Sequence, residues 1–377
     1  MRSHSARIRR LVSTGVRKRV YPGAVWAVGD THGTRTTGAT GTLDPLAPNT
    51  PVAPNAPPAP VTPLGPLTHH GSRTHTGTDV RTNPSTIFDV ASLTKIIAVW
   101  ACVGALWEEG VLPLDAPLAS YWPEVAGHPL GVVTARRLLT HTAGVPPHAD
   151  LAAHYGTDPD TIRTGVLREV LHRPPGEAVE YTDRAALILG YLVEHLAADT
   201  LDRVAASRIW QPLGMHDTRF GPLPAALAAD CAPTEPDPDG ESRLRGTVHD
   251  PSARLLGGVC GIAGAFTVRD DLARFLRHLL GAYPAGRGPG FGPAWVEESL
   301  TVHTGDLEPA RGLFWHPAPG TCPAEGVYVH YGFTGTAMWI SAQRRRWAVL
   351  LTNKVYFTRE REPLGAIRDE FRRLAFG

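Results

Sequence analysis

The sequence has little lysine. It has three, Lys18, Lys95 and Lys354, against 34 arginines. Arginine takes lysine's place almost everywhere, a compositional bias with no chemical meaning of its own, so each remaining lysine calls for a reason. Net charge is also missing. The 37 basic and 36 acidic residues leave +1 and are mixed along the chain, which argues against a nucleic-acid surface or a membrane-binding face. No apolar run reaches the roughly 18 residues needed to span a bilayer. The N-terminal MRSHSARIRRLVSTGVRKRV is basic but has no apolar h-region and no small-residue cleavage site, so it does not read as a secretory signal. The four cysteines, Cys102, Cys231, Cys260 and Cys322, lie far apart and form no C-x-x-C pair. Free thiols in a reducing compartment are expected, and with them a cytoplasmic location. There is no phosphate-loop pattern and no H-E-x-x-H, so neither a nucleotide nor a zinc site is read, and no cofactor or metal is expected.

What is present suffices for a sizeable core: 377 residues, 42% hydrophobic, in one large domain or two. Ile8, Leu11, Val12 and Val16 are spaced for a helix over 3–19. GAVWAVG, 23–29, follows Pro22 and reads as a strand. Residues 44–66 are so rich in proline that an exposed loop between two strands is predicted. The pair His69-His70 beyond it reads as solvated. From 91 to 109 the pattern is helical and apolar nearly all round, the mark of a buried helix. Residues 110–220 read as helices broken by proline and glycine turns, with a short one at 134–140 and a long one at 184–197. An acidic, proline-rich loop is read at 232–240. Gly257, Gly258, Gly261 and Gly264 suggest close backbone packing. Thr267 and Asp270 are spaced as an acidic capping box for the helix after them. VYVHYGFTGTAMWISA and WAVLLTN read as two strands joined by QRRR, and PLGAIRDEFRRLAF as a terminal amphipathic helix. Strands at both ends and helices between predict an α/β (α+β) fold, its sheet built from both ends of the chain with a helical region inserted. One domain is expected over 1–377, with an α/β part at about 1–109 and 265–377 and a helical part at about 110–264.

Lys95 sits in FDVASLTKII, three positions after Ser92 and among core-like residues. On a helix, residues three apart share a face. The Lys95 amine can therefore reach the Ser92 hydroxyl. Serine is a poor nucleophile without a base. Lysine serves as one when burial or neighbouring positive charge lowers its pKa, and the apolar helix supplies the burial. A serine at a helix N-terminus also offers its backbone N–H to a developing oxyanion. The bland alternative is a capping serine with a lysine that snorkels to the surface.

Two further stretches decide between these. FDVASLTK, the EYTD that contains Tyr181, Thr182 and Asp183, and HYGFTGT at 330–336 follow one another in order. In this the chain resembles the serine β-lactamase and penicillin-binding-protein superfamily, on its class C-like branch of β-lactamases, esterases and transacylases. LLTHTAGVP, PLGMHDT and VHDPSARLLGGVCGIAGAFTVRDDLARF are similar to its framework segments. The resemblance implies a β-lactamase-like fold: an antiparallel sheet flanked by helices, with an inserted all-helical subdomain. It implies Ser92 as the acylated nucleophile, Lys95 as its general-base partner and Tyr181 as a proton relay. The backbone N–H groups of Ser92 and Phe333 would form the oxyanion hole. His330, Tyr331 and Gly332 would line the edge strand along which substrate lies, and Asp183 would face substrate too.

Three positions depart from the family pattern. Asp183 replaces the usual Asn, and a carboxylate beside Lys95 favours the ammonium. His330 stands where a lysine is usual, so a fixed positive charge is missing. Tyr331 replaces a small hydroxyl residue. Together they argue against an efficient β-lactamase and leave ester or transfer chemistry intact. Trp315 reads as a pocket wall or as core. His141 reads as framework. His249-Asp250 reads equally as pocket lining or as a loop tether. The expected activity is that of a serine hydrolase or acyltransferase on an ester, thioester or amide of a small molecule, with water, an amine or an alcohol as acceptor. A D,D-peptidase or β-lactamase, and a non-catalytic binding or sensor protein on the same fold, are the alternatives.

Overall fold

In the computed structural model, which describes residues 2–45, 80–147, 150–238, 240, 242–281 and 290–377, the run after Pro22 forms β1 (Gly23–Asp30), buried along its length. It pairs with β2 (Gly33–Gly41) on one side and, on the other, with β9 (Arg346–Thr352) from the far end of the chain. The sheet continues through β8 (Ala337–Ser341), β7 (Tyr328–Tyr331) and β6 (His316–Pro317). The order is β2-β1-β9-β8-β7-β6, antiparallel throughout. A small second sheet, β3 (Phe88–Asp89), β5 (Ala265–Thr267) and β4 (Arg219–Phe220), fastens the segment before Ser92.

Both faces of the sheet's interior are covered, which is why β1, β8 and β9 read as unbroken apolar runs, whereas the edge strand β2, GTRTTGATG, is polar and part-exposed. Ala24, Trp26, Ala348 and Leu350 turn to one side. There they meet the N-terminal helix (Arg2–Arg17) and the C-terminal helix (Leu364–Phe376) through Ile8, Val12 and Phe371. Val25, Ala27, Val349 and Leu351 turn to the other side and join the larger core around the central helix. That helix opens with a 3-10 turn at Ala91–Leu93. It widens to π winding over Lys95–Trp100 and continues as α-helix over Ala101–Glu108. Its 18 residues are in fact long and apolar enough to cross a membrane, which corrects the expectation above, but 83% of the stretch is buried inside the fold.

Three local expectations need correction. The segment 328–341 is a hairpin, not one strand, because Gly335 takes φ +116° and Gly332 N–H donates to Thr336 O at 2.8 Å. The capping box at Thr267 does not form: its hydroxyl bonds Thr218 at 2.6 Å, and Asp270 is engaged by Arg269 at 2.9 Å. Much of 110–182 is 3-10 turns and irregular chain, with the short helices Ala135–Leu139 and Leu151–Tyr155 and the longer Pro159–Arg168 between them. The long middle helix runs Asp183–Ala197. All four cysteines are free thiols, Cys322 alone exposed. The proline-rich stretch from residue 46 on and His69-His70 lie outside the described residues.

Candidate active site

The nucleophile turn is set by Asp89. Its buried carboxylate accepts the Ala91 N–H at 2.8 Å and the His249 N–H at 2.7 Å. Ala91 is held at φ +47°, a left-handed conformation that costs a non-glycine residue of order 1–3 kcal/mol. The chain then enters the helix with Ser92 partly exposed and Lys95, one turn on, fully buried. Lys95 Nζ donates to Ser92 Oγ at 2.9 Å and to the Ile262 carbonyl at 2.7 Å, and pairs with Asp183 Oδ1 at 2.7 Å. The Tyr181 hydroxyl donates to Ser92 Oγ at 3.1 Å. Tyr181 and Asp183 reach this point because Thr182 caps the long middle helix, its hydroxyl accepting the Arg184 N–H at 3.1 Å and donating to Pro146 O at 2.7 Å.

The lysine is not the neutral amine that burial alone would give. Burial pushes Lys95 down, but the Asp183 carboxylate and Tyr181 outweigh it and hold the group above the usual ammonium range. The geometry agrees: an ammonium has three donors and no acceptor, and Lys95 has three acceptors around it. The expectation of a lowered pKa is corrected, and the cause is the aspartate at the family's Asn position.

The loop 332–336 closes over the nucleophile turn. Thr334 Oγ1 donates to Asp89 O at 2.8 Å and Thr336 Oγ1 to Val90 O at 3.1 Å. Gly332 lies so close that a Cβ there would strike Thr336 Oγ1 and Val90 O. The Phe333 backbone is thereby fixed beside the Ser92 turn. The Phe333 ring stacks on His249 with centroids 5.7 Å apart. His249 thus both tethers the loop and backs the site, while Asp250 caps the short helix Pro251–Leu255 through the Ala253 N–H at 2.8 Å.

The other predicted residues divide between the core and the surroundings of Tyr181. Trp315 is fully buried, edge-on to Trp100 at 6.1 Å, and is core rather than a substrate wall. Tyr331 packs against Trp339 and Arg368, so its bulk faces the terminal helices: on a strand, His330 and Tyr331 point to opposite sides. His330 is buried and donates from Nδ1 to Phe314 O at 2.8 Å. Burial holds its ring well below the usual imidazole range. His141, read as framework, lies 4.7 Å from the Tyr181 ring and accepts the Thr182 N–H at 3.4 Å. It too is held well below its usual range, by burial and then by Arg311. Arg311, which no motif marked, places its guanidinium 5.9 Å from the Tyr181 ring centre. Among the described residues, no three His, Cys, Asp or Glu side chains are grouped to hold a metal.

Fold and constellation together define a serine hydrolase of the β-lactamase and penicillin-binding-protein type. The chain belongs to the Beta-lactamase family, whose profile matches residues 8–371. It is similar to a proposed D-alanyl-D-alanine carboxypeptidase of Escherichia coli (strain K12), 31% identical over 316 residues that span 73% of this chain and 70% of the relative. Among solved structures it resembles EstCE1, a hydrolase with promiscuous acyltransferase activity, with a TM-score of 0.72 and 17% identity, covering 100% of this chain and 99% of that one. It also resembles the D-alanine carboxypeptidase AmpC of Burkholderia cenocepacia, with a TM-score of 0.70 and 19% identity, covering 98% of each chain. At these identities the structural likenesses speak for the fold.

Proposed function

We propose that the protein cleaves an ester, thioester or amide of a small molecule through an acyl-enzyme on Ser92. The observation that carries this is Ser92 Oγ within hydrogen-bond reach of both Lys95 Nζ and the Tyr181 hydroxyl, beside the fixed Phe333 backbone. Lys95 must first give up a proton. Asp183, its side chain 40% exposed, is the acceptor at hand. A substrate that covers Asp183 removes the water that stabilises the ion pair, and the shared proton moves to the carboxylate. The amine then takes the Ser92 proton as Oγ bonds to the carbonyl carbon. The carbonyl oxygen becomes an oxyanion facing the N–H groups of Ser92 and Phe333. As the tetrahedral species collapses, the bond to the leaving group breaks. Tyr181 donates a proton to that group and is reprotonated from Lys95. Water, an amine or an alcohol then attacks the acyl carbon by the reverse path.

A second reading, D,D-peptidase action on a peptide amide, is supported by the names of the Escherichia coli relative and the Burkholderia cenocepacia structure. The first test is intact-protein mass after brief exposure to p-nitrophenyl esters of several chain lengths. Wild type should gain one acyl group and Ser92→Ala none. Added amines, alcohols or D-alanyl-D-alanine peptides would then identify acceptor and donor. If wild type forms no adduct and releases no nitrophenol from any ester or peptide, the hydrolase reading falls and a binding role on this fold takes its place.

A further inference from the structure

His141 is a bulky residue at a position that suits glycine. The helix Ala135–Leu139 ends in the two turn bonds of a Schellman motif: Thr142 N–H donates to Arg137 O at 2.8 Å and His141 N–H to Leu138 O at 3.2 Å. His141 is the left-handed residue of that motif, at φ +58°, where glycine sits without strain. Its side chain is nevertheless buried. The helix end accounts for the backbone of His141 and leaves the imidazole unexplained.

What His141 touches is the Tyr181 segment. Its carbonyl accepts the Glu180 N–H at 2.9 Å, and its Nδ1 accepts the Thr182 N–H at 3.4 Å. One residue thus holds the chain on both sides of Tyr181. Burial, then Arg311, His330 and Lys95, keep the imidazole neutral, and a neutral ring can accept at Nδ1. The imidazole also meets two rings: Tyr181, with centroids 4.7 Å apart, and Phe314, stacked on it at 5.2 Å. Phe314 is pinned in turn. It too is left-handed, at φ +60°, its N–H donates to Leu139 O at 2.7 Å, and its carbonyl accepts from His330 Nδ1 at 2.8 Å. Tyr181 is 41% exposed, so its buried side must set where the hydroxyl sits. That hydroxyl lies 3.1 Å from Ser92 Oγ, beside the point where a leaving group departs.

We infer that His141 is a positioning residue for Tyr181, holding the phenol where its proton reaches the leaving group. As the bond between the acyl carbon and the leaving oxygen breaks, that oxygen keeps the electron pair and takes the Tyr181 proton, and Lys95 returns one to Tyr181. A misplaced phenol loses this proton transfer while Ser92 and Lys95 keep their own contact. The inference rests on the acyl-enzyme reading and adds to it the residue that aims the proton donor.

Three esters of phenylacetic acid test it, those of p-nitrophenol, phenol and trifluoroethanol. They share one acyl group, so kcat/KM compares the departure of three leaving groups. p-Nitrophenolate leaves without a proton, and the other two need one increasingly. Wild type should turn over all three. His141→Gly keeps the helix end and removes the ring. It should lose about 10²-fold on the trifluoroethyl ester, less on the phenyl ester, and about fivefold or less on the p-nitrophenyl ester. Tyr181→Phe should lose activity in the same order, and the double variant should fall no lower than Tyr181→Phe alone, since His141 acts through Tyr181. Should His141→Gly fail to fold, His141→Asn takes its place: asparagine tolerates the left-handed backbone but lacks the ring, and it should lose about 10-fold or more on the trifluoroethyl ester in the same order. Equal losses on all three esters, no selective loss in the variant, or a double variant that shows the product of the two single losses overturns the inference. So does wild-type turnover of the p-nitrophenyl ester alone, which would mean that no proton reaches the leaving group. In each of these cases p-nitrophenyl turnover that depends on Ser92 leaves the hydrolase reading standing, whereas silence of wild type on all three esters would sink both.

Discussion

At the scale of the residue, the site turns on Asp183. It converts a lysine that burial would make neutral into an ammonium with three acceptors. Asp183→Asn removes the first opposing charge and leaves burial to act, so the amine should fall below its usual range. In wild type the proton stays within the Lys95–Asp183 pair, whereas in Asp183→Asn it must leave for water, so the acid limb of kcat/KM for a neutral ester should move to higher pH by about one unit or more. An unmoved limb would show that Asp183 does not govern Lys95. The sign for stability is different. A raised lysine pKa contributes stability that is full below the unfolded lysine range, about 10.4, and is lost as pH rises through the higher folded value. From about pH 5 up to the variant's lowered lysine pKa the loss of stability in Asp183→Asn should therefore be independent of pH, and above it the loss should shrink as the buried amine sheds its proton, a contrast that separates its structural effect from its catalytic one. Much of this was legible in sequence. Ser92, Lys95 and Tyr181 stood in motif order, and the aspartate announced a charged partner. The outcome was not legible, because burial and Coulomb attraction pull Lys95 in opposite directions and only distances decide between them.

At the scale of the element, the hairpin between β7 and β8 positions the second oxyanion donor. Two threonine hydroxyls bind it to the nucleophile turn, and Gly332 permits the approach. Gly332→Ala would drive a methyl group into Val90 O and lift Phe333 away from Ser92. Its kcat on p-nitrophenyl esters should fall by about 10²-fold, with a smaller change in KM. A rate within twofold of wild type would mean that the loop can shift without moving the Phe333 N–H. The hairpin was misread as one strand because its apolar pattern runs on through FTGTAM. Gly335 reverses the chain there, and a lone glycine inside a strand pattern reads equally well as a bulge. Arg311 was invisible for a related reason. Its loop has no periodicity, and its approach to the Tyr181 ring is a contact that only the fold creates. Tyr331 was placed at the site by its motif and Trp315 was open between pocket wall and core, but alternation along β7 turns Tyr331 to the other face and packing against Trp100 makes Trp315 core.

At the scale of the whole molecule, the chain's two ends make one layer. β1 and β9 are neighbours, and the N-terminal and C-terminal helices pack on the same face of the sheet. The order of apolar strands at both ends and helices between made this architecture readable in the sequence, since one sheet built from both ends leaves the helices between them as an insertion. The outer layer is remote from Ser92, which lies across the sheet with the larger core, so stability and chemistry should separate there. Ile8 and Phe371 are both fully buried in this layer. Ile8→Ala should cost about 2–5 kcal/mol and Phe371→Ala about 3–5 kcal/mol, through lost burial and the cavity left behind. Each should lower the melting temperature by several degrees, since about 2–4 °C accompanies each kcal/mol even in somewhat smaller domains. Activity per folded molecule at 25 °C, measured by titrating acylated Ser92 against total protein, should stay at the wild-type value. A melting temperature unchanged by Ile8→Ala would mean that the first helix is not part of the cooperative unit. A loss of activity per acylated molecule would mean that the outer layer reaches through the sheet to the β7–β8 hairpin and holds the oxyanion donor in place from behind.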